Sequence, residues 1–293
     1  MMGRLTQTIA MIAVLAGVLM AQVPSDGLVA FYPFTGNWND ISGHGYNLTT
    51  IPQYTPAWAA DRNGVASRAI SLDGGSQGLH APADSFPLGS SARTISVWVQ
   101  LSDLSRVRTI VSWGDRRNGT DCSFLANQNT TGAYLIFTNS IDSLIYKTSS
   151  LYKIQSWTHL AVTLTATGLA TMYMGDSILV SKQMTGWNTS AGLFGVGGWY
   201  MDQYSNSFLW SGRLDAVVIY RRALSTTEIS MLANNTTDLL VSTKTLTPNS
   251  VRYTVVENRT SNVLYTINGR TLKNESVAGM LMGEKLKKSL RIQ

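Results

Sequence analysis

Apolar and polar residues alternate along most of the chain between residues 28 and 219. Residues 94–99 read TISVWV and residues 159–164 read HLAVTL, so an apolar side chain recurs at every second position. Because successive side chains of a strand point to opposite faces, a period of two predicts strands that bury one face. Turn signals such as Asp73-Gly74-Gly75 separate the runs. Many short strands with this spacing predict an all-β sandwich or barrel.

A single short helix is predicted at the end of this strand-rich region. Ser225 is followed three residues later by Glu228. This is the spacing of a capping box, in which the two side chains satisfy backbone N–H groups of the first helical turn. The preceding run, residues 217–220, is apolar and β-branched and predicts a buried strand. The region therefore ends in a strand followed by a helix.

Residues 1–21 have the pattern of an export signal. Arg4 supplies a positive charge, residues 9–20 form a continuous apolar run, and Ala21 is a suitable cleavage residue. The apolar run is too short to span a bilayer, and no later stretch of the sequence reaches spanning length. The mature protein is therefore expected to be secreted, extracellular or at the cell surface, with no membrane span.

Cysteine usage and charge narrow the class of protein. Cys122 is the only cysteine, so no intrachain disulfide can form, and this favours a bacterial exported domain with a large core. The net charge of +6 belongs mainly to the tail: residues 27–235 contain 13 basic and 12 acidic side chains, whereas residues 236–293 contain 9 and 4. No basic patch interleaves with aromatic residues in the main region, so no nucleic-acid partner is expected.

These features divide the chain into parts. The parts are a signal peptide at 1–21, a strand-rich domain at 27–235, a polar linker at 236–247 and a small β tail at 248–293. In the tail, residues 251–256 and 263–267 are strand-like, and Asn268-Gly269 is a strong signal for a hairpin turn. A tail of this length is marginal for an independent core.

Five short segments in order along the chain form a pattern. They are GLVAFYPF at 27–34, AISLDG at 69–74, TISVWV at 94–99, WTHLAV at 157–162 and GRLDAVVIY at 212–220. Together they resemble the laminin-G-like, or concanavalin A-like, jelly-roll domains of the lectin and glucanase superfamily over residues 27–233. The resemblance implies an all-β fold in which two antiparallel sheets form a jelly-roll sandwich.

The tail shows a second, softer resemblance. Residues 263–270 read VLYTINGR, a glycine follows at Gly279, and a basic stretch ends the chain. This pattern is similar to the C-terminal sorting domains of bacterial type IX secretion. The resemblance implies that the tail contacts secretion machinery; the alternative is a small β appendage without an address role.

The jelly-roll resemblance also implies a metal. Such domains often bind a structural Ca²⁺ at the rim through an aspartate of the last strand and the N-terminal segment. Asp215 matches the last-strand aspartate, and Asp40 is the nearest N-terminal candidate. Ca²⁺ takes roughly six to eight oxygen ligands, so backbone carbonyls and water would complete the site. The alternative is that both carboxylates only cap turns and accept hydrogen bonds from backbone amides.

Catalysis is not expected. Retaining glycosidases place two carboxylates about 5.5 Å apart, and related jelly-roll enzymes present them on one inner strand. Residues 27–235 contain a single glutamate, Glu228, which the capping box already uses, and no strand carries two alternating acids. The histidines do not suggest a nucleophilic triad either. His159 is expected to be a packed or hydrogen-bonded structural residue.

Aromatic residues provide the candidate ligand-binding surface. Aromatic rings stack on the apolar faces of sugars, while neighbouring polar groups fix the hydroxyls. Trp98, Trp157 and Trp210 fall in strands of the family pattern and are expected in the core. The predicted ligand-binding set falls at strand ends or in loops and comprises Trp113, Trp187, Trp199, Tyr200 and Tyr204, with Asp202 and Arg116 as polar neighbours. The alternative is that these rings pack loops onto the sheet rims.

The leading interpretation is an exported, non-catalytic recognition module that binds carbohydrate or another extracellular polymer. It rests on analogy at the level of the fold and on the aromatic set. Two alternatives remain open. One is a structural or adhesive surface protein that binds protein partners, and the other is a polysaccharide-degrading enzyme with atypical acids such as Asp and Tyr.

Overall fold

The computed structural model describes residues 23–51, 53–103, 105–148, 155–202 and 205–234, together with four short strands beyond residue 238. The chain divides into two units, Val23–Thr236 and the two termini, 1–22 with 237–293. The segment predicted as a signal peptide, 1–21, lies outside the described residues. In the part of the chain that is described, no helix has the length and hydropathy needed to cross a membrane.

The first sheet of the larger unit has eight antiparallel strands. Its strands are β1 (Leu28–Tyr32), β3 (Ala57–Ala59), β4 (Ala69–Asp73), β6 (Arg93–Leu101), β11 (Thr158–Leu164), β12 (Leu169–Met174), β13 (Ser177–Gln183) and β17 (Ser211–Tyr220). Their order across the sheet is β13-β12-β11-β6-β17-β4-β3, and β1 also pairs with β17. We call this sheet A.

The second sheet, sheet B, has seven antiparallel strands. They are β2 (Thr49–Thr50), β5 (Leu79–Pro82), β7 (Arg108–Asp115), β8 (Thr120–Asn129), β9 (Gly132–Thr138), β10 (Ser143–Thr148) and β14 (Leu193–Val196). Their order is β10-β9-β8-β7-β14-β5-β2. A separate two-stranded hairpin consists of β15 (Trp199–Asp202) and β16 (Ser205–Ser207).

The two sheets pack face to face around one apolar core. Alternate residues of β6 and β11, such as Val97 and Val162, are fully buried in it, and so are Phe124 of β8 and Phe137 of β9. The period-two pattern therefore identified the buried faces correctly, and the predicted sandwich of two antiparallel sheets is confirmed. Cys122 also lies in this core, where burial raises the pKa of its thiol to about 12.

One hairpin shows how the turn residues fix the register. β12 and β13 are joined by Gly175-Asp176, a dipeptide typical of tight turns, and Met174 pairs with Ser177 across the turn. Gly175 has φ of +63°, as a tight turn with glycine at its first central position requires. The two turn residues therefore set the pairing of the two strands.

The predicted helix is α1 (Thr226–Asn234). Its capping box forms as expected, because the backbone N–H of Ser225 donates to Glu228 Oε2 at 2.9 Å and the backbone N–H of Glu228 donates to Ser225 Oγ at 3.3 Å. Arg222 also donates to both carboxylate oxygens of Glu228, at 2.9 and 2.6 Å. The helix buries Ile229 and Leu232 on one side.

The C-terminal strands pair in a sheet of their own. They are β18 (Leu239–Thr243), β19 (Thr254–Asn258), β20 (Leu264–Tyr265) and β21 (Thr271–Leu272), paired antiparallel in chain order. The segment 236–247, predicted as a linker, therefore contains a strand. Its apolar residues 239–241 pair with β19, and the surrounding polar residues masked that signal. Asn268-Gly269, between β20 and β21, lies outside the described residues.

Candidate functional site

Two of the predicted ligand-binding tryptophans belong to the core. Trp113 in β7 is 0% exposed, and its indole N–H donates to the carbonyl of Pro87 at 3.0 Å. Trp187 is 7% exposed and stacks on Phe137, with ring centroids 4.7 Å apart. A ring without an exposed face cannot stack on a sugar, so the prediction for Trp113 and Trp187 is corrected. The sequence placed them at strand ends but could not show that these ends are covered.

The faces of these two indoles hold a buried arginine. The guanidinium carbon of Arg93 lies 5.7 Å from the ring centroid of Trp113 and 5.6 Å from that of Trp187. Arg93 is fully buried, and it donates to Thr189 Oγ1 at 2.7 Å and to two backbone carbonyls. Burial lowers its pKa. The two rings therefore stabilise a cation of the protein itself.

Trp199 and Tyr200 fold back onto sheet B. Both lie in β15 and are buried, at 6% and 2% exposure, and the Tyr200 ring lies 4.8 Å from the His80 ring. Gly195 of β14 allows this approach, because a Cβ there would lie 2.8 Å from Tyr200 Cδ2. The expected open aromatic surface at Trp199 and Tyr200 is therefore wrong for this structure: the hairpin covers the sheet with its own rings.

Of the other three members of the predicted set, the structure describes the side chain of Arg116 alone. Tyr204 lies outside the described residues, and only the backbone of Asp202, at the end of β15, is described. Arg116 begins a 3-10 turn after β7 and is half-buried, with its guanidinium carbon 4.7 Å from the Phe208 ring centroid. Their roles in ligand binding stay predictions.

The carboxylate of Asp40 is held by backbone hydrogen bonds. It accepts from the backbone N–H groups of Phe31 at 3.0 Å, Ser42 at 2.9 Å and Tyr46 at 3.1 Å. The Ser42 hydroxyl lies 2.8 Å from Asp40 Oδ2 and 2.9 Å from the carbonyl of Val29, and its one proton can go to either acceptor. Asp40 thus holds the loop after β1 in place, as the alternative interpretation expected.

Asp215 is bound by an arginine. It lies fully buried in β17 and forms an ion pair with Arg62, whose guanidinium also lies 4.9 Å over the ring of Trp98. The positive charge of the Arg62 guanidinium would repel a Ca²⁺ ion bound to the same carboxylate. Among the described residues, no three His, Cys, Asp or Glu side chains cluster as a metal site would need. As the structure holds them, Asp40 and Asp215 do not fit a calcium site.

The surroundings of His159 indicate a structural role. It is buried on the outer face of sheet A, its Nε2 lies 2.8 Å from Ser96 Oγ, and its Nδ1 lies 3.3 Å from the carbonyl of Gly175. Burial lowers the pKa of His159 to about 4. With both ring nitrogens engaged and no exposed surface, it fits the packed, hydrogen-bonded residue expected from the sequence.

The outer face of sheet B presents a surface that the sequence did not reveal. The strand register aligns one residue from each of the seven strands in a row across the sheet. We call it the hydroxyl row, because five of its seven residues are Ser or Thr. The hydroxyl row comprises Thr49, His80, Gly195, Ser112, Ser123, Thr138 and Ser143. It is buried under the β15–β16 hairpin at its centre, where Ser112 Oγ donates to the carbonyl of Gly198 at 3.2 Å.

Two more rows run beside the hydroxyl row on β8, β9 and β10. Leu125, Ile136 and Ile145 form an aliphatic row, and Asn127, Tyr134 and Lys147 form the next one. Exposure increases toward the edge strand: Leu125 is buried, whereas Ile145 is 47% exposed. We call the exposed part of these rows, on β9 and β10, the open face.

Tyr134 is the aromatic centre of the open face. Its ring is half-buried, its hydroxyl lies 2.5 Å from Thr131 Oγ1, and the ammonium of Lys147 lies 5.8 Å from its ring centroid. Tyr134 was not predicted from the sequence, because the side chains on both faces of β9 are largely apolar. The sequence of this strand alone does not show which face points away from the core. The pairing of β9 with β8 and β10 does.

The comparisons agree with this architecture. The family model described as the concanavalin A-like lectin/glucanases superfamily matches residues 73–230. A search of curated protein sequences gave no match. Among solved structures, domain 4 of AbnA, an extracellular arabinanase from Geobacillus stearothermophilus in complex with arabinotriose, is 22% identical. The alignment covers 71% of this chain and 98% of that domain, with a TM-score of 0.54.

Two toxin domains have a similar fold at lower identity. The binding domain of Paraclostridial Mosquitocidal Protein 1 is 17% identical, with 80% of this chain and 64% of that one covered and a TM-score of 0.54. The receptor-binding domain of the botulinum neurotoxin C/D mosaic serotype is 10% identical, with coverage of 83% and 69% and a TM-score of 0.55. The family match extends over more than half of the sequence, and the chain belongs to the concanavalin A-like lectin/glucanases superfamily.

Proposed function

We propose that this protein is an exported, non-catalytic module that binds carbohydrate through the open face of sheet B. The observation that carries the proposal is the composition of that face. One half-buried aromatic ring, Tyr134, lies between Asn127 of the neighbouring strand β8 and Lys147 of β10, beside an aliphatic row whose outermost member, Ile145, is exposed. Carbohydrate sites combine these elements, because a ring packs against C–H groups while polar side chains bind hydroxyls.

The covered and exposed parts of sheet B support this location. The β15–β16 hairpin and Tyr200 cover the sheet near β14 and β5. Exposure instead increases from β8 to β10. A ligand can approach the sheet only where the protein does not cover it, so the predicted site is shifted from the Trp199 hairpin to β9 and β10. The similar arabinanase domain, solved with arabinotriose, supports oligosaccharides as the ligand class.

Three carboxylates of the domain are held by partners within the protein, and this supports binding without catalysis. Asp121 on β8 is fully buried, and one of its oxygens accepts from Ser123 Oγ at 2.6 Å. Asp142 is held by Lys182 and by the backbone of Thr185. Glu228 is held by Arg222 and Ser225. Glycoside hydrolysis requires two carboxylates that flank one sugar, and each of these groups already has a structural partner.

The test is binding of the purified domain to linear arabinan, laminarin, xylan, cellulose and chitin, followed by variants. Tyr134→Ala should weaken binding to the positive polysaccharide by about tenfold, which corresponds to about 1.4 kcal/mol. Tyr134→Phe retains the ring and removes only the hydroxyl that contacts Thr131, so it should bind nearly as the wild type does. Ile178→Ala, at an exposed position of β13, is a control for the loss of an exposed apolar side chain.

The binding and reducing-sugar measurements distinguish the proposed function from its two alternatives. Absence of binding to the whole panel, with an unchanged melting temperature, contradicts the proposal, and capture of a protein partner under those conditions supports the adhesive alternative. Release of reducing sugar from any of the polysaccharides would instead support an enzyme with atypical acids. Equal binding by wild type and Tyr134→Ala moves the site away from the open face.

We further propose that the N-terminal apolar segment directs export and that the tail at 248–293 engages the type IX machinery. The support is the sequence pattern of residues 263–270 and the basic end of the chain. Deletion of residues 248–293 should retain the domain inside the cells of a host that has this pathway, and cell fractionation measures this. Unchanged release would leave the tail as a simple β appendage.

A further inference from the structure

A second aromatic surface lies at the opposite edge of the sandwich. Strands β10 and β13 end the two sheets on one side, where Lys182 pairs with Asp142, and strands β2 and β3 end them on the other. Trp58, in the three-residue edge strand β3, is 37% exposed. Its ring stacks on Trp38, with centroids 6.0 Å apart and an angle of 24° between the planes.

The two indoles have different relations to the core. Trp38 packs against the core cluster, and its carbonyl accepts from the backbone N–H of Leu48 at 3.0 Å. Trp58 lies outside Trp38 and is not among the residues packed against that cluster. Trp38 therefore fixes the orientation of the Trp58 ring from behind, and such support reduces the conformational entropy that a ligand would have to remove on binding.

A second exposed aromatic residue, Tyr54, precedes Trp58 in the chain. Tyr54, four residues earlier, is 39% exposed. Its backbone is held in a turn, because its N–H donates to Ile51 and its carbonyl accepts from Thr50 Oγ1 at 3.1 Å. Stable protein partners need about 800 Å² on each side, far more than the exposed parts of these two rings, whereas a sugar ring needs only one aromatic face.

We propose that Trp58, supported by Trp38, is a second carbohydrate-contacting surface that takes the apolar face of a sugar ring. The proposal rests on the proposed function, since it assigns a second contact to the same class of ligand. Strand β2, which ends sheet B on the side of β3, is five strand spacings from β9, the strand of Tyr134. At about 4.8 Å per spacing, that edge of the sandwich lies roughly 24 Å from Tyr134. Two sites at this separation can engage one long polysaccharide chain but not one trisaccharide.

The experiment compares long and short ligands of the same sugar. Linear arabinan with arabinotriose, and laminarin with laminaritriose, are titrated against wild type and the variants Trp58→Ala, Trp58→Leu and Trp58→Phe. Trp58→Ala and Trp58→Leu should weaken binding of the bound polysaccharide about tenfold, because avidity is lost. Trisaccharide binding at the open face should change less than twofold, and Trp58→Phe should keep most of the polymer affinity. Ile178→Ala is the matched control.

The outcomes separate this inference from the proposed function. Trp58→Leu retains apolar cover over Trp38, so it tests the ring even where Trp58→Ala melts at a lower temperature. If Trp58→Leu binds every polymer as the wild type does while Tyr134→Ala weakens it, the second surface is wrong and the open face stands. If the wild type binds none of the polysaccharides, both proposals fall.

Discussion

At the scale of single residues, Arg93 shows how the protein uses its tryptophans. A fully buried guanidinium is costly unless its donors and its charge are satisfied. Arg93 meets this condition through a hydroxyl, two carbonyls and the faces of Trp113 and Trp187. The aromatic set that suggested ligand binding therefore serves, at these two positions, to hold a cation inside the domain.

Loss of the Arg93 guanidinium should destabilise the domain. Arg93→Met should lower the free energy of unfolding by roughly 3 kcal/mol or more, because the acceptors around Arg93 lose charged donors and Met does not replace them. Urea denaturation followed by circular dichroism measures the change. Arg117→Met, at an exposed arginine of the turn after β7, is the matched control and should change stability by less than about 0.5 kcal/mol. Equal effects of the two substitutions would contradict a structural role for Arg93.

His159 predicts how stability depends on pH. Its pKa is lowered to about 4 in the folded protein, whereas an unfolded histidine titrates near 6.5. The folded state therefore favours the neutral ring, and this contribution is complete above about pH 6.5. As the pH falls from 6.5 to 4, the unfolded chain gains the proton first and stability is lost, by roughly 3 kcal/mol in total.

The measurement is the unfolding free energy of wild type and His159→Gln between pH 8 and pH 4. His159→Gln should remove this part of the pH dependence while keeping a polar side chain opposite Ser96. Parallel curves for the two proteins over that range would show that His159 does not titrate in this way.

At the scale of elements, a small cluster of polar side chains connects the last strand of the sandwich to helix α1. Arg222 and Ser225 both bind Glu228 and lower its pKa to about 2. A lowered carboxylate pKa means that the ionised form stabilises the fold above the ordinary value near 4.3, and that this stability is lost as the pH falls toward 2. The strand β17 and the helix α1 are thus joined by a link that weakens in acid.

Glu228→Gln tests this link. The neutral amide loses the ion pair with Arg222 and the charge-assisted part of the cap, so the unfolding free energy at pH 7 should fall by about 1 kcal/mol. The difference from wild type should shrink below pH 4 and approach zero near pH 2. Asp176→Asn, in the β12–β13 turn, is the control. A difference that stays constant with pH would exclude the carboxylate as the cause.

The elements also show what the sequence could and could not predict. The alternation in β6 and β11, the capping box and the Gly175-Asp176 turn are local signals, and each produced the expected element. The covering of sheet B by β15 and β16 is not local, because it depends on contacts between residues far apart in the sequence: Tyr200 packs on His80, and Ser112 donates to the carbonyl of Gly198. Exposure of Tyr134 likewise follows from pairing between strands, so neither feature could be predicted from one segment.

At the scale of the whole molecule, the two carboxylates expected to bind calcium are held by partners within the protein. Asp40 accepts hydrogen bonds from three backbone N–H groups, and Asp215 is paired with Arg62. Treatment with EDTA should therefore leave the melting temperature within about 1 °C of the untreated value, since a ligand stabilises only the state that binds it. Differential scanning calorimetry with and without added CaCl₂ measures this. A rise with calcium that Asp215→Asn abolishes would restore the metal prediction.

The position of Cys122 gives the unmodified chain a built-in reporter. Its thiol sits between the sheets with a pKa near 12, so in the native state it is both shielded and protonated, and only the thiolate reacts. A maleimide dye will label it only after β8 has separated from its neighbours. The labelling rate in mild denaturant thus measures how often the region around Cys122 opens, and the variants described above can be compared by this rate without an added probe.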